Sequence, residues 1–167
     1  MEAKLHAEVD GLLSDEIPSF DDLTTLVYAK QIIDETLRLY PPVCLFSRRA
    51  ITEDHIDGYY IAPGSDVFMA PYFVQRHPQF WRIHKHSDRS ALSRMRSVNA
   101  ISLLIFPFPW VSDGASGGSL LWWRCRIHLG AIAKHLRLRC IPERPIELEP
   151  YVNLRTRHSL HMIVERR

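Results

Sequence analysis

Two groups of side chains in this sequence are of types that could do chemistry. Three cysteines, Cys44, Cys125 and Cys140, could supply a thiolate ligand or a nucleophile. Their odd number and the absence of CxxC spacing disfavour a structural zinc site or a disulfide framework, and favour a reducing compartment. Glu35 and Arg38 are three residues apart, so they share one face of a helix and can form an ion pair. For this spacing alone, the usual interpretation is a solvent-exposed pair that contributes little to stability.

The elements that position these residues follow from the hydrophobic pattern. Apolar residues recur every three or four positions and predict a helix over residues 23–40, which Pro41 and Pro42 end. Residues 1–13 have the pattern of the end of another helix. Short apolar runs between turn dipeptides predict a small antiparallel sheet over residues 48–69. The other predicted elements are a helix from Gly130 to Arg139 and two paired strands, Tyr151 to Leu154 and Met162 to Val164, around Arg157-His158-Ser159.

The overall composition is that of an ordinary globular domain. The chain has 167 residues, of which 46 % are hydrophobic and 24 % charged. Its net charge of +2 is too small to predict a nucleic-acid or membrane partner. No apolar run reaches the roughly 18 residues of a membrane span, and the first residues lack the apolar core of a signal peptide. We therefore expect a cytoplasmic protein with no membrane segment and no nucleic-acid partner.

The sequence around Glu35 and Arg38 is specific. The run Ile33-Asp-Glu-Thr-Leu-Arg-Leu-Tyr-Pro-Pro-Val43 closely resembles the K helix of the cytochrome P-450 family, the haem-thiolate monooxygenases. Further segments resemble the same family: Arg48-Arg49-Ala50, Gly58-Tyr-Tyr-Ile-Ala-Pro-Gly-Ser65 and Gln75-Arg-His-Pro-Gln-Phe-Trp81. The resemblance runs in register over residues 1–81 and resumes from 127 to 167.

This resemblance implies a fold and a role for individual residues. The fold is mainly α with small antiparallel β-sheets (α+β), the C-terminal part of the P-450 fold and therefore incomplete. Glu35 and Arg38 match the family's buried structural pair, which holds the loop before the haem cysteine. Arg48 stands where many members place an arginine on a haem propionate, which a guanidinium can bind through two parallel hydrogen bonds; an exposed strand arginine is the alternative. Residues 43–47 and the turn near Ser159 would line the substrate pocket.

The sequence departs from the family at the haem ligand. The family's axial thiolate comes from Phe-x-x-Gly-x-Arg-x-Cys-x-Gly, and a helix containing Phe-Ala-x-x-Glu follows it. None of Cys44, Cys125 and Cys140 fits this motif; Cys125, for example, has Leu121 where the motif has its first glycine. We expect packed thiols instead, with no metal ligand and no catalytic residue in this chain. The family's Pro-Glu-Arg-Phe motif and its oxygen-activating helix are also missing from the sequence.

The missing motifs coincide with a segment of unusual composition. Residues 82–126 contain 8 of the 13 serines and only two acidic residues, Asp88 and Asp113. A basic linker is the ordinary interpretation of such a segment. The genetic code offers another interpretation. The gene is read in a shifted frame, in which each codon begins at the third base of a codon of the given sequence. Trp110-Val111 then forces glycine, and the Gly114/Ala115 junction permits cysteine four residues later.

The shifted frame recovers both missing motifs. It permits the remaining residues of the haem-ligand motif and, just after Trp81, Pro-Glu-Arg-Phe at its expected distance. We interpret residues 82–126 as a frameshifted haem-binding region, entered by a base lost after Trp81 and left by a base gained near Arg126; a divergent linker is the alternative. The chain then divides into residues 1–81 (end of the J helix, K helix and β1 sheet region), 82–126 (out of frame, irregular) and 127–167 (end of the L helix and a C-terminal β-hairpin).

The functional hypothesis is a fragment of a cytochrome P-450 monooxygenase. The resemblance implies an oxidoreductase with an iron haem cofactor, a small organic substrate, O2, and a ferredoxin or flavin reductase as redox partner. Because the cysteine loop is missing, we expect this chain to be inactive and not to bind haem. The alternatives are a non-catalytic relic and a small basic binding module that uses residues 82–126 on nucleic acid, which no nucleic-acid motif supports.

Overall fold

The computed structural model describes residues 2–13, 20–81, 117–141, 146–151 and 153–167. The helices are α1 (Glu2–Leu12), α2 (Phe20–Thr25), α3 (Val27–Leu39), α4 (Pro71–Val74) and α5 (Gly117–His135). The strands are β1 (Phe46–Arg49), β2 (Asp54–Ile56), β3 (Tyr59–Ile61), β4 (Asp66–Met69), β5 (Leu136–Cys140), β6 (Leu148–Pro150), β7 (Leu154–Thr156) and β8 (Met162–Arg166). No helix in these ranges is long and apolar enough to cross a membrane.

The helix predicted over residues 23–40 is α3, with a break before it. Leu26 has φ −72° and ψ 72°, a non-helical conformation that separates α2 from α3. The predicted apolar stripe is only partly correct: Leu26 and Ile33 are buried, whereas Val27 and Tyr40 are about half exposed. Ala29 and Leu39 complete the buried face instead. α3 ends at Leu39, two residues before Pro41, because proline disfavours helix in the residue before it.

The sheet region between α3 and α4 consists of two antiparallel pairs. β1 pairs with β4 from Phe46↔Met69 to Arg49↔Asp66, and β2 pairs with β3. Asp57 and Gly58, which connect β2 to β3, have φ of 50° and 83°, as a two-residue hairpin turn of type I′ requires. The predicted small antiparallel sheet is present, and the Asp57-Gly58 dipeptide predicted its turn correctly.

The hydrophobic core joins the beginning of the chain to its end. It consists of the buried residues Leu5, Val9, Leu13, Leu26, Ala29 and Ala133. Trp123 and Ile127 of α5 pack against this cluster. An ion pair between Arg167 and Asp10 (2.6 Å) and a hydrogen bond from Lys134 Nζ to the Leu13 carbonyl (2.9 Å) lie beside it. Helices α1, α3 and α5 therefore form one packed unit.

The C-terminal elements differ from the sequence prediction in two ways. The helix predicted from Gly130 to Arg139 ends at His135, and residues 136–140 form β5. The alternation of leucine and arginine after His135 has the period of a strand, and this signal was missed. The predicted pairing of Tyr151–Leu154 with Met162–Val164 is wrong, because β8 pairs with β5 while β7 pairs with β6. Both pairs are antiparallel.

The middle segment differs from its prediction at one end. Residues 82–126 were expected to be irregular, yet α5 begins at Gly117. After Gly118 this stretch has neither glycine nor proline before Gly130, so its backbone can continue the helix of residues 127–135. The expectation for residues 82–116 falls outside the part that the structure describes. Common burial of Trp110, Trp122 and Trp123 would count against an out-of-frame segment; the first two side chains lie outside the described part, and Trp123 is partly buried and packs against the core cluster.

Candidate functional site

Glu35 and Arg38 form a buried, two-point ion pair on α3. Arg38 Nε donates to Glu35 Oε2 at 2.7 Å, and Arg38 Nη2 donates to Glu35 Oε1 at 2.8 Å. Their side chains are only 3 % and 1 % exposed, respectively. A charge in this environment is stable only when it is paired and hydrogen-bonded. The ion pair predicted from the three-residue spacing of Glu35 and Arg38 is therefore present, and it is buried instead of solvent-exposed.

The Arg38 guanidinium also reaches beyond its own helix. Its Nη1 donates to the backbone carbonyl of Gln75 at 2.8 Å, and its Cζ lies 4.6 Å from the centroid of the Trp81 ring. Trp81 is 2 % exposed and Gln75 is fully buried. The pair thus joins α3 to the segment that follows α4. This segment is part of the family resemblance, but no role was predicted for Gln75 or Trp81, because contacts between residues so far apart in the chain leave no periodic signal in the sequence.

Arg48, predicted to bind a haem propionate, lies on β1 with its side chain exposed. Its Nη1 donates to the adjacent Ser47 carbonyl at 3.3 Å, and its Cζ lies 5.5 Å from the Phe46 ring centroid. The next residue, Arg49, makes a two-point pair with Asp66 at 2.9 and 2.8 Å. Of these two arginines, Arg48 is therefore the one with no carboxylate partner among its described contacts.

The three cysteines lie on different elements and differ in burial. Cys44 is buried and its Sγ donates to the Tyr151 carbonyl at 3.4 Å. Cys125 lies within α5, and Cys140 is the exposed last residue of β5. The expectation of a packed thiol is therefore wrong for Cys140, which ends an exposed strand. All are free thiols. Within the described ranges, no cluster of three or more His, Cys, Asp or Glu side chains could hold a metal ion.

An apolar cavity of about 480 Å³ lies next to the segment that connects α3 to β1. Its walls come from that segment, from α4 and from the β6–β7 region. The residues that line it are Cys44, Leu45, Ala70, Tyr72, Phe73, Leu148, Pro150, Tyr151 and Leu154. Cys44 and Leu45 belong to residues 43–47, which were predicted to line a substrate pocket, whereas Ser159 is not part of the wall. The lining contains no charged side chain.

Comparison with known proteins gives one consistent result. The family model for cytochrome P450 matches residues 1–83. Cyclooctatin synthase of Streptomyces melanosporofaciens is 36 % identical over 99 % of this chain and 36 % of its own length. Cyclooctat-9-en-7-ol 5-monooxygenase of the same organism is 29 % identical over 85 % of this chain and 31 % of its own length. The crystal structure of the cytochrome P450DA heme domain matches 99 % of this chain and 37 % of that chain, with a TM-score of 0.84 and 23 % sequence identity.

The chain belongs to the cytochrome P450 family. It spans about a third of the length of the relatives that it matches. Its helices and small antiparallel sheets have the arrangement of an incomplete P450 fold, which confirms the fold class predicted from the K-helix resemblance. Membership of this family implies a haem iron cofactor, an organic substrate and a redox partner.

The described cysteines of this P450 chain do not fit a thiolate-ligated haem. A ligating thiolate needs an exposed or cofactor-facing position and supporting donors around the sulfur. Cys44 points at the Tyr151 carbonyl, Cys125 lies in the interior of a helix, and Cys140 ends a strand. These are the only cysteines in the 167 residues.

Proposed function

We propose that this chain derives from a P450 monooxygenase gene whose intact product oxidises an organic substrate with O2, and that the 167-residue chain is itself inactive. The observation that carries the proposal is the contrast between two sites. The buried Glu35–Arg38 pair is complete, with both hydrogen bonds made. None of the three cysteines stands in the family's haem-ligand motif: Cys44 is buried against the Tyr151 carbonyl, Cys125 lies within α5, and Cys140 ends β5.

A frameshift over residues 82–126 accounts for this contrast. The family-model match ends at residue 83, two residues after Trp81, where the lost base is placed. The motif of the haem thiolate and the Pro-Glu-Arg-Phe motif both belong to the interval that follows. A return to the original frame near Arg126 agrees with the packing of Ala133 and Ile127, which lie beyond that point, against α1 and α3; Trp123, which lies before it, packs against the same cluster.

In the intact protein, the residues of this chain would have defined tasks. Glu35 and Arg38 would hold the loop that precedes the haem cysteine, through the contact that Arg38 makes with the segment after α4. Arg48 would bind a haem propionate, for which its exposed guanidinium is available. A ferredoxin or a flavin reductase would supply the electrons.

The substrate of the intact protein would be a cyclic hydrocarbon or the corresponding alcohol. The cavity beside Cys44 and Leu45 has an apolar lining without a charged side chain, which suits such a molecule. One similar protein, cyclooctat-9-en-7-ol 5-monooxygenase, is named for an alcohol of this class. Residues 43–47 are the part of the pocket wall that this chain would contribute.

Spectroscopy of the purified chain tests the proposal. The 167-residue chain is expressed with haem supplied, reduced and treated with carbon monoxide, and the Soret band is recorded. We expect no red-shifted band of a thiolate-ligated haem; any haem held by histidine gives a nitrogen-ligated spectrum. The red-shifted band, if it appears and is lost in Cys125→Ser, overturns the proposal and makes the chain a haem-thiolate protein.

A further inference from the structure

The two ends of α3, the helix that carries Glu35 and Arg38, are held by side chains from elsewhere in the chain. Leu26 occupies the N-cap position and makes no side-chain capping hydrogen bond, and the first turn contains no acidic residue. The first backbone N–H groups of a helix have no partner within that helix. The N-terminal end of α3 therefore depends on acceptors outside its own sequence.

Glu8 of α1 supplies these acceptors. Its Oε1 accepts a hydrogen bond from the Tyr28 backbone N–H at 2.6 Å, and its Oε2 accepts one from the Ala29 N–H at 2.8 Å. Burial raises the pKa of Glu8, and the hydrogen bonds from Ala29 and Val27 oppose that shift. A carboxylate at a helix N-terminus also lies at the positive end of the helix dipole. Leu5 and Val9, which flank Glu8 on α1, are core residues and fix its position.

Arg76 occupies the corresponding place at the C-terminal end of α3. Its Nη2 donates to the backbone carbonyl of Leu39, the last residue of the helix. The guanidinium also contacts two aromatic rings, because its Cζ lies 3.8 Å from the Tyr72 centroid and 5.8 Å from the Tyr40 centroid. A cation at this end is the charge that the helix dipole favours. The two ends of α3 therefore have charges of opposite sign, each suited to its end.

We propose that Glu8 and Arg76 are positioning residues that clamp α3 at both ends and thereby set the place of the Glu35–Arg38 pair. The clamp makes the position of the pair depend on α1 and on the segment after α4, since α3 lacks a side-chain cap of its own. Arg76 follows Gln75, whose carbonyl accepts from Arg38, so the helix end and the pair are held by adjacent residues. This role needs no haem and is independent of the proposed monooxygenase activity.

Amide hydrogen exchange of the 167-residue chain tests the N-terminal clamp. Glu8→Gln keeps the size of the side chain but leaves one acceptor oxygen for two N–H groups. We expect Tyr28 or Ala29 to exchange about tenfold faster, which corresponds to the loss of one hydrogen bond to a charged group. Glu53→Gln, a change at an exposed carboxylate, is the matched control. A uniform increase over all amides of α1, α3 and α5, or none at Tyr28 and Ala29, overturns the proposal.

A conservative pair of variants tests the C-terminal clamp. Arg76→Met removes the donor and the charge, whereas Arg76→Lys keeps a cation that can reach the same carbonyl. The reporter is the Tyr40 N–H, which donates to the Thr36 carbonyl at 2.7 Å in the last turn. We expect about tenfold faster exchange of this amide in Arg76→Met and most of the protection restored in Arg76→Lys. Equal losses in the two variants, or no change in Arg76→Met, contradict the clamp.

Discussion

Replacing Arg38 by methionine tests how strongly the burial of its ion pair with Glu35 affects the free energy of unfolding. The change removes the Arg38 guanidinium from a Glu35 carboxylate that stays buried, because that side chain is only 3 % exposed. It also removes the hydrogen bond to the Gln75 carbonyl and the contact with the Trp81 ring. Breaking a buried pair in this way costs about 3–5 kcal/mol. With a urea m-value of about 2 kcal/mol/M, the unfolding midpoint falls by roughly 2 M.

The exposed pair of Arg49 and Asp66 provides the matched control. It also has two hydrogen bonds, at 2.9 and 2.8 Å, but its side chains are 70 % and 40 % exposed. Arg49→Met is therefore expected to lower the free energy of unfolding by less than about 1 kcal/mol. Urea unfolding followed by circular dichroism measures both variants. Equal midpoints for Arg38→Met and Arg49→Met would refute the argument that burial sets the contribution of the pair.

A double variant tests the cause of the cost. Glu35→Leu combined with Arg38→Met removes both charges, so no uncompensated buried carboxylate remains. Replacing both partners of a buried pair by apolar side chains is often close to neutral. We expect the double variant to unfold at a higher urea concentration than Arg38→Met alone. A double variant that is less stable than the single one contradicts the desolvation argument.

Two further predictions concern individual residues of the scaffold. The hydrogen bond from Arg167 lowers the pKa of Asp10 from its usual 3.8. The pair's contribution to stability is therefore present above pH 3.8 and is lost as pH falls through the lowered pKa. We expect Asp10→Asn to flatten the acid limb of a profile of unfolding free energy against pH; an unchanged acid limb contradicts this. Gly58 has a φ of 83° and Gly11 lies in α1 with open space at its Cβ position. Thermal unfolding should therefore show Gly58→Ala destabilised by about 1–2 kcal/mol and Gly11→Ala stabilised by up to about 1 kcal/mol.

Elements that are specified by a short sequence pattern were predictable from the sequence. Helix α3 and the Asp57-Gly58 turn each follow from a short pattern, and the structure contains both. The Glu35–Arg38 pair was predictable as a pair from its spacing, but its burial came from the family resemblance. Burial depends on Trp81 and Gln75, which lie about 40 residues further along the chain.

Long-range contacts explain what the sequence did not predict. The pairing of β8 with β5 joins residues 162–166 to 136–140, and the alternation in each strand does not identify its partner. The capping of α3 by Glu8 and Arg76 likewise joins residues about 20 and 37 positions apart. Sequence patterns with periods of two or 3.6 residues carry no information on such partners.

The proposed frameshift can be checked in the gene itself, by reading the nucleotides across codons 78–130. The claim is that a shifted frame of this interval encodes the missing haem-ligand motif of a P450. We predict either an intact frame in genomic reads that carries the motif, or a one-base loss after the Trp81 codon with compensation near Arg126. In both cases the bases at the Gly114/Ala115 junction spell cysteine in the shifted frame. A junction that cannot spell cysteine contradicts the account.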